Sequence, residues 1–252
     1  MQPLASYEDL GRRVEHSLVA PELTNEEVVA GLRMAARYGI AAAVVRPCDV
    51  ELGVNTLKGS AVAPATVAGF PHGTQTTAVK LYEIRDLLRR GAKEIELVIG
   101  VPKLLSREFQ HVQTELMQAS ETCRKEGAIL KVTLETSWLT DELKIIACRC
   151  CERADVHFVK TSTGYAPGGY TIEDVKLMRQ HLPEEIGIVA AGGICTADQA
   201  LELYELGCTR FATTATPALL DEWKARVAPP ATKAQPLAAA PGQKSGDTPA
   251  AR

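Results

Sequence analysis

The sequence contains no long apolar run. No stretch approaches the roughly 18 apolar residues of a membrane span, and residues 1–19 lack the apolar core of a signal peptide. We therefore expect no membrane partner and a cytoplasmic location. Aromatic residues make up only 5% of the chain, but hydrophobic residues reach 46%, so aliphatic side chains are available for a sizeable core.

The chain also lacks an excess of either charge. Its 28 basic and 31 acidic residues give a formal net charge of -3, and the two signs are interspersed. Binding to the phosphate backbone of a nucleic acid requires a basic face. The composition therefore argues against a nucleic-acid partner.

Regularly spaced cysteine pairs are missing as well. The seven cysteines are an odd number and are scattered along the chain, which is typical of reduced thiols rather than of a disulfide framework. Cys148, Cys150 and Cys151 have no second pair of ligands at the spacing of a zinc site, so we predict no metal site. No G-x-G-x-x-G motif follows an early strand, so nothing supports a dinucleotide cofactor.

What the chain does contain is a regular alternation of short apolar runs and longer amphipathic stretches, the pattern of repeated β-α units. The predicted strands are Val14–Leu18, Ile40–Arg46, Ala63–Phe70, Glu94–Ile99, Ile129–Glu135, Val156–Lys160, Ile186–Ala190 and Thr209–Thr213. The predicted helices include Asn25–Tyr38, Thr76–Arg90, Arg107–Glu126, Thr140–Arg153, Ile172–His181 and Thr196–Leu206. Eight such strands predict an α/β protein with a TIM (β/α)8 barrel fold. An open doubly wound sheet is the alternative, and the missing glycine motif disfavours it.

Residues at the ends of the predicted helices agree with this division. Thr24, Thr140 and Thr171 precede helical stretches, where a hydroxyl accepts hydrogen bonds from free N–H groups. We predict one barrel domain over residues 1–226. Residues 227–252 are rich in Ala, Pro and Gly with almost no bulky apolar residue, which predicts a disordered tail rather than a lid or docking segment.

Lys160 is the first candidate for catalysis. It ends an apolar strand, and the reacting groups of (β/α)8 barrels come from the carboxyl ends of strands and the loops after them. Burial at that position would favour the neutral, nucleophilic amine. The alternative is a lysine whose amine extends to solvent.

Motifs along most of the chain resemble those of the deoxyribose-phosphate aldolases. The matching segments are VEHSL, VAGFPHGTQTTAVKLYEIRDLLRRGAKEIELVIG, LKVTLET, FVKTSTGYAPGGYTIEDVKLMR, AAGGICTADQA and GCTRFATT. The resemblance implies that Lys160 attacks a carbonyl carbon and forms an imine. It also implies cleavage of 2-deoxyribose 5-phosphate to acetaldehyde and glyceraldehyde 3-phosphate, without a metal or other cofactor.

Two positions near the expected imine depart from the family pattern. The family's aspartate for proton transfer corresponds to Glu96, whose carboxylate lies one methylene farther from the backbone. The family's second lysine, on the seventh strand, corresponds to Val189. Loss of that like charge would leave less of the Lys160 amine in the neutral form. Lys131, on the fifth strand, is the candidate for a compensating cation, with simple pairing to Glu96 or Glu135 as the alternative.

The resemblance implies a mixed phosphate site. Gly164, Gly192, Gly193 and Thr214 match the family's phosphate-binding positions, and Glu15 stands where an aspartate could orient the substrate. The family's arginine after GGI is replaced by Cys195, and Ala215 has lost a hydroxyl. His16 and His72 have no spaced partners and are expected to be structural or adjacent to the substrate.

These departures leave three functional hypotheses open. The first is an aldolase acting on a small phosphorylated sugar. The second is a Schiff-base lyase for an unphosphorylated or larger aldehyde, which Cys195 and Ala215 would allow. The third is a catalytically weakened relative with a binding or regulatory role, which would account for Val189. The sequence leaves open whether the chain forms a homo-oligomer.

Overall fold

The computed structural model describes residues 3–228. Within this range the chain begins with a short helix and continues through strands and helices that alternate to its end. The last helix ends at Val227, one residue beyond the predicted domain boundary. Apart from Val227 and Ala228, the predicted tail lies outside the described residues.

Eight parallel strands form a closed barrel in which each strand pairs with the next and β8 pairs with β1. The strands are β1 Val14–Leu18, β2 Ala42–Val45, β3 Ala63–Ala68, β4 Glu94–Val98, β5 Ile129–Thr133, β6 Phe158–Lys160, β7 Gly187–Ala191 and β8 Arg210–Thr213. The predicted TIM barrel is confirmed. Several strands are shorter than predicted, because an apolar run continues past the residues that pair with a neighbour.

Helices surround this barrel. They are α1 Tyr7–Gly11, α2 Asn25–Tyr38, α3 Val50–Thr56, α4 Thr77–Arg89, α5 Val101–Leu105, α6 Phe109–Lys125, α7 Asp141–Arg153, α8 Ile172–His181, α9 Ala197–Glu205 and α10 Thr216–Val227. The six predicted helices are all present, with ends shifted by at most two residues. Within residues 3–228, no helix is both long and apolar enough to cross a membrane.

The predicted helix caps are formed. The hydroxyls of Thr24, Thr140 and Thr171 each accept a hydrogen bond from a backbone N–H in the first turn that follows. In return, the Thr24 N–H donates a hydrogen bond to Glu27 Oε2 at 2.7 Å. Gly39 ends α2 with a φ of 61°, a left-handed conformation that glycine adopts without steric cost. Local sequence therefore determines where these helices begin and end.

Strand alternation gives the barrel two chemically different faces. Ile95 and Leu97 point outward into the main apolar core between sheet and helices. Glu94 and Glu96, on the same strand, point into the barrel, where they meet a lysine. Beside β2 and β3 the interior is apolar, and Ala42, Val44, Ala65 and Val67 form a small cluster there. The charged half of the interior positions the site described below.

A buried ion pair joins α4 to α6 outside the barrel. Lys80 Nζ donates to Glu115 Oε1 at 2.8 Å and to the Val98 carbonyl at 2.9 Å. Both side chains are buried, and the Thr77 hydroxyl also donates to Glu115. Lys80 therefore links two helices to the end of β4.

We predict that Lys80→Met lowers the free energy of unfolding by about 3–5 kcal/mol, because it leaves Glu115 buried without its cation. Urea denaturation at pH 7 measures the change. The double variant Lys80→Met/Glu115→Gln is the control and should recover most of the loss. Equal stability of the two variants would show that the unpaired charge is not the cause.

Candidate active site

A cavity of about 140 Å³ opens at the carboxyl ends of four neighbouring strands, β6, β7, β8 and β1. It is lined by Ser17, Lys160, Thr163, Gly164, Ala191, Gly192, Gly193, Ile194, Cys195, Ala212, Thr213 and Thr214. In (β/α)8 barrels the carboxyl ends of the strands carry the reacting groups. Lys160 is the only charged side chain among these lining residues.

Lys160 is the last residue of β6 and is buried. Its amine donates a hydrogen bond to Glu96 Oε2 at 2.7 Å. Glu96 comes from β4, two strands away, and is also buried. The structure thus brings together the two residues that sequence analysis assigned to nucleophile and proton transfer, with the amine facing the cavity and the carboxylate.

Lys131 lies one layer deeper in the barrel than Lys160 and is fully buried. Its Nζ contacts three carboxylate oxygens: Glu15 Oε1 at 3.0 Å, Glu94 Oε2 at 3.0 Å and Glu96 Oε1 at 3.1 Å. None of these three contacts has hydrogen-bond geometry, so they are attractions between charges. Burial alone would lower the pKa of Lys131, but the three carboxylates outweigh it and raise that pKa.

Arg210, which is half-buried, completes this cluster of charges. Its guanidinium contacts Glu15 at 2.9 Å and Glu94 at 2.6 Å, and it lies 4.4 Å from the centre of the Phe158 ring. Burial would raise the pKa of Glu15, but the charges of Lys131, Arg210 and Lys160 lower it to about 2. Three cations and three carboxylates therefore balance within the barrel: Lys131, Lys160 and Arg210 against Glu15, Glu94 and Glu96.

Sequence analysis did not identify Glu94 and Arg210. A signal for Glu94 was available, since residues two apart on a strand share a face and Glu96 was already assigned to the interior. Arg210 had no comparable local signal. It begins β8, and its contact with Glu94 joins residues 116 positions apart in the chain.

The structure does not place Glu15 at the cavity, where a residue that binds or orients the substrate is expected. Glu15 is fully buried and does not line the cavity. Ser17 shares its face of β1 but lies two residues nearer the carboxyl end, and it is Ser17 that lines the cavity. Glu15 therefore belongs to the charge cluster below, and sequence analysis missed Ser17.

Val189 lies between Lys160 and Arg210 in the strand register. It is fully buried and packs with Ala191 and Ala212. The seventh strand therefore contributes no cation to the cavity. The expected pairing of Lys131 with Glu96 is present, whereas Glu135 instead accepts a hydrogen bond from the Thr163 N–H at 3.0 Å.

The predicted phosphate-binding residues do line one end of the cavity: Gly164, Gly192, Gly193 and Thr214. A side chain at Gly192 would place its Cβ 2.6 Å from the Gly169 Cα, so only glycine fits there. Cys195 lines this end with an exposed thiol, and Ala215 is not part of the lining. Backbone groups and hydroxyls, rather than cations, are therefore available to a ligand.

The DeoC/LacD family aldolase model matches residues 10–207, which include β1 to β7 and the residues around Lys160. The chain belongs to the DeoC/LacD family of aldolases. It is therefore a class I aldolase, a carbon–carbon lyase. Among described residues, no group of three or more His, Cys, Asp or Glu is arranged to hold a metal ion.

This DeoC/LacD aldolase is similar to curated and solved relatives along most of its length. It is 38% identical to the deoxyribose-phosphate aldolase of Caldanaerobacter subterraneus subsp. tengcongensis, covering 87% of this chain and 95% of the relative. A solved structure described as a putative deoxyribose-phosphate aldolase from Coccidioides immitis has a TM-score of 0.83 at 30% identity, covering 88% of each chain. The tetrameric deoxyribose phosphate aldolase of Aeropyrum pernix has a TM-score of 0.81 at 29% identity, covering 88% of this chain and 94% of that one.

Two histidines of this aldolase occupy different environments near the site. His72 is exposed, with its ring centre 5.7 Å from that of Trp138. His16 is buried, and its Nδ1 lies 3.0 Å from the hydroxyl of Thr216 at the start of α10. Burial lowers the pKa of His16 to about 4. Neutral His16 therefore attaches β1 to the helix that follows the cavity-lining residues of β8.

We predict that the free energy of unfolding falls by about 3 kcal/mol more in the wild type than in His16→Gln between pH 7 and pH 4. The unfolded chain binds a proton at His16 below about pH 6.5, whereas the folded chain does so only near pH 4. The stability that neutral His16 contributes is therefore fully present above the unfolded pKa of about 6.5. It is lost as the pH falls toward the folded pKa of about 4. Denaturation at several pH values measures the difference, and parallel curves for the two proteins would contradict the prediction.

Proposed function

We propose that this chain is a Schiff-base aldolase that cleaves 2-deoxyribose 5-phosphate to acetaldehyde and glyceraldehyde 3-phosphate. The observation that carries the proposal is the buried Lys160 amine, 2.7 Å from Glu96 and facing a cavity at the carboxyl end of the barrel. The names of the related enzymes support the choice of substrate.

In the first step, Glu96 accepts the proton of the Lys160 ammonium group, with which it is already hydrogen-bonded. The neutral amine attacks C1 of the open-chain sugar, and loss of water leaves a protonated imine. This imine is a better electron sink than a carbonyl group. Lys160 acts as the nucleophile and Glu96 as the group that moves the proton.

Cleavage follows from the imine. Removal of the proton from the C3 hydroxyl breaks the C2–C3 bond, releases glyceraldehyde 3-phosphate, and leaves the electron pair in an enamine on Lys160. Protonation of the enamine at C2 regenerates the imine, and water releases acetaldehyde and the free amine. Glu96 is within hydrogen-bonding distance of the Lys160 nitrogen through which these steps pass.

Lys131 acts on this chemistry through Glu96. The two oxygens of Glu96 are divided between the lysines, with Oε1 near Lys131 and Oε2 near Lys160. The charge of Lys131 attracts Oε1 and so holds the carboxylate in place beside Lys160, which is the role of a positioning residue. Lys131 therefore supplies the second cation that the seventh strand, with Val189, does not provide.

The phosphate group would lie at Gly164, Gly192, Gly193 and Thr214, which line the cavity. Helices α9 and α10 begin just beyond this end, and free N–H groups of helix starts and glycine loops favour anions. Cys195 adds no positive charge for a phosphate to bind. The same lining therefore favours a second candidate activity, the cleavage or formation of hydroxyaldehydes that carry no phosphate.

Two further proposals follow from the relatives and the substrate. The Aeropyrum pernix relative is tetrameric, which supports assembly of this chain with copies of itself. A phosphorylated sugar does not cross membranes freely because of its charge. This supports a cytoplasmic site of action.

Imine trapping tests the proposed function. Sodium borohydride added with acetaldehyde should convert Lys160 to N-ethyl-lysine, because hydride reduces the imine that forms with loss of water. Peptide mass spectrometry locates the ethyl group, and the exposed Lys58 in the same sample is the matched control. Modification of Lys160 with no cleavage of 2-deoxyribose 5-phosphate would favour a different aldehyde. Absence of modification would favour a binding protein and overturn the proposal.

The role of Lys131 is tested in a background that keeps the charges balanced. In Lys131→Met/Glu94→Gln one positive and one negative charge are removed together. We expect kcat to fall about tenfold or more while KM changes little, because Glu96 loses the contact that holds its carboxylate beside Lys160. Glu94→Gln alone is the control. A double variant with the same kcat as Glu94→Gln would show that Lys131 has only a structural role.

A further inference from the structure

Tyr165 lies in the loop that follows β6, five residues after Lys160. Its hydroxyl donates to the Val19 carbonyl at 3.2 Å, and its ring packs edge-to-face on Phe70 with 5.3 Å between ring centres. The ring is partly exposed, at 41%. Catalysis as proposed above does not use this side chain, so its contacts need another explanation.

These contacts cross the mouth of the barrel. In a closed barrel of eight strands, β2 lies opposite β6. Val19 follows β1 and Phe70 lies just after β3, the two strands that flank β2. A side chain that leaves the β6 loop and contacts both residues therefore spans the opening from one side to the other.

The segment that carries Tyr165 is held at both ends. At its start, Thr163 donates its N–H to Glu135 and accepts the Tyr165 N–H at 3.1 Å. At its far end, the Tyr170 N–H donates to the Ala191 carbonyl at 2.9 Å. Glu135 itself is buried in a left-handed conformation with a φ of 57°, which costs energy for a residue other than glycine. The segment 163–170 is thus a fixed strap.

The strap separates two unlike halves of the interior. The residues that line the Lys160 cavity come only from the β6, β7, β8 and β1 side. On the other side, Val44 and Val67 belong to the small apolar cluster of β2 and β3, and Val19 and Phe70 pack against it. The start of the strap, Thr163 and Gly164, lines the cavity, and Tyr165 contacts Val19 and Phe70, so the strap runs from the polar cavity to this apolar region.

We propose that Tyr165 determines specificity by closing the cavity against longer, apolar aldehydes. The aromatic ring occupies the space through which an alkyl chain attached at the Lys160 end would reach the apolar half of the mouth. Short, polar aldehydes remain on the β6–β1 side with its hydroxyls and backbone N–H groups. This inference rests on the proposed Schiff-base function of Lys160.

The test compares donor aldehydes of different length, which form the imine with Lys160, in their addition to glyceraldehyde 3-phosphate. The ratio of kcat/KM for hexanal to that for propanal should rise at least tenfold in Tyr165→Ala, since each newly buried methylene contributes roughly fourfold. Tyr165→Phe keeps the ring and loses only the hydrogen bond, so its ratio should stay within about threefold of the wild type. An unchanged ratio in Tyr165→Ala would overturn the proposal.

Borohydride trapping separates this proposal from the proposed function. Wild-type Lys160 modified by acetaldehyde, together with increased modification by hexanal in Tyr165→Ala, is the expected result and does not depend on turnover. Failure of the wild type to react with acetaldehyde would overturn the proposed function and this inference with it. Normal reaction with acetaldehyde but equal hexanal modification in both proteins would overturn the assignment of Tyr165 alone.

If Tyr165→Ala does not fold, Phe70→Ala is the second variant, because Phe70 forms the other side of the same ring contact. Its removal should shift the ratio in the same direction. An unchanged ratio there would count equally against the proposal.

Discussion

A single carboxylate shared by two buried ammonium groups is the interaction on which the site depends. Glu96 contacts Lys160 with one oxygen and Lys131 with the other. A buried charge without a partner is costly, so neither lysine could be held at this depth without this carboxylate and its neighbours. The balance of three cations and three carboxylates is therefore a condition for the fold as well as for the chemistry.

The barrel provides that balance through register and alternation. Inward-pointing residues of neighbouring strands form layers, and the charged residues occupy adjacent layers, with Lys160 at the cavity and Lys131 one layer beneath it. Lys131 and Glu96 are direct partners in the β4–β5 register, which places their side chains together in the interior. Val189 lies level with Lys160 in the register and stands where the family resemblance implies a second lysine. The cluster is nevertheless neutral, because each of its cations contacts a carboxylate.

The cavity above this layer is asymmetric. Glycine backbone, hydroxyls and the Cys195 thiol line most of it, and the strap that carries Tyr165 contributes Thr163 and Gly164. Neither boundary carries a cation, so Lys160 is the dominant charge that a ligand meets. In the proposed mechanism, reactivity and selectivity therefore depend on different residues: Lys160 and its charged neighbours carry out the reaction, and the uncharged walls select the aldehyde.

The sequence alone determined the elements and the position of the nucleophile. Threonine caps, apolar periodicity and the count of eight strands are local properties, and they were sufficient to predict the barrel and to place Lys160 at the end of a strand. Glu96 followed from the family motif. Gly192 and Gly193, which the motif also predicted, line the cavity.

Only the tertiary structure decided the depth and partners of the charged residues. Glu15 and Ser17 share a face of one strand, and the closed barrel determines that Ser17 reaches the cavity while Glu15 remains beneath it. The contact of Arg210 with Glu15 and that of Tyr165 with Val19 join residues 195 and 146 positions apart. Such contacts depend on the register and closure of the whole sheet, because side chains from distant segments meet only after every strand has taken its place.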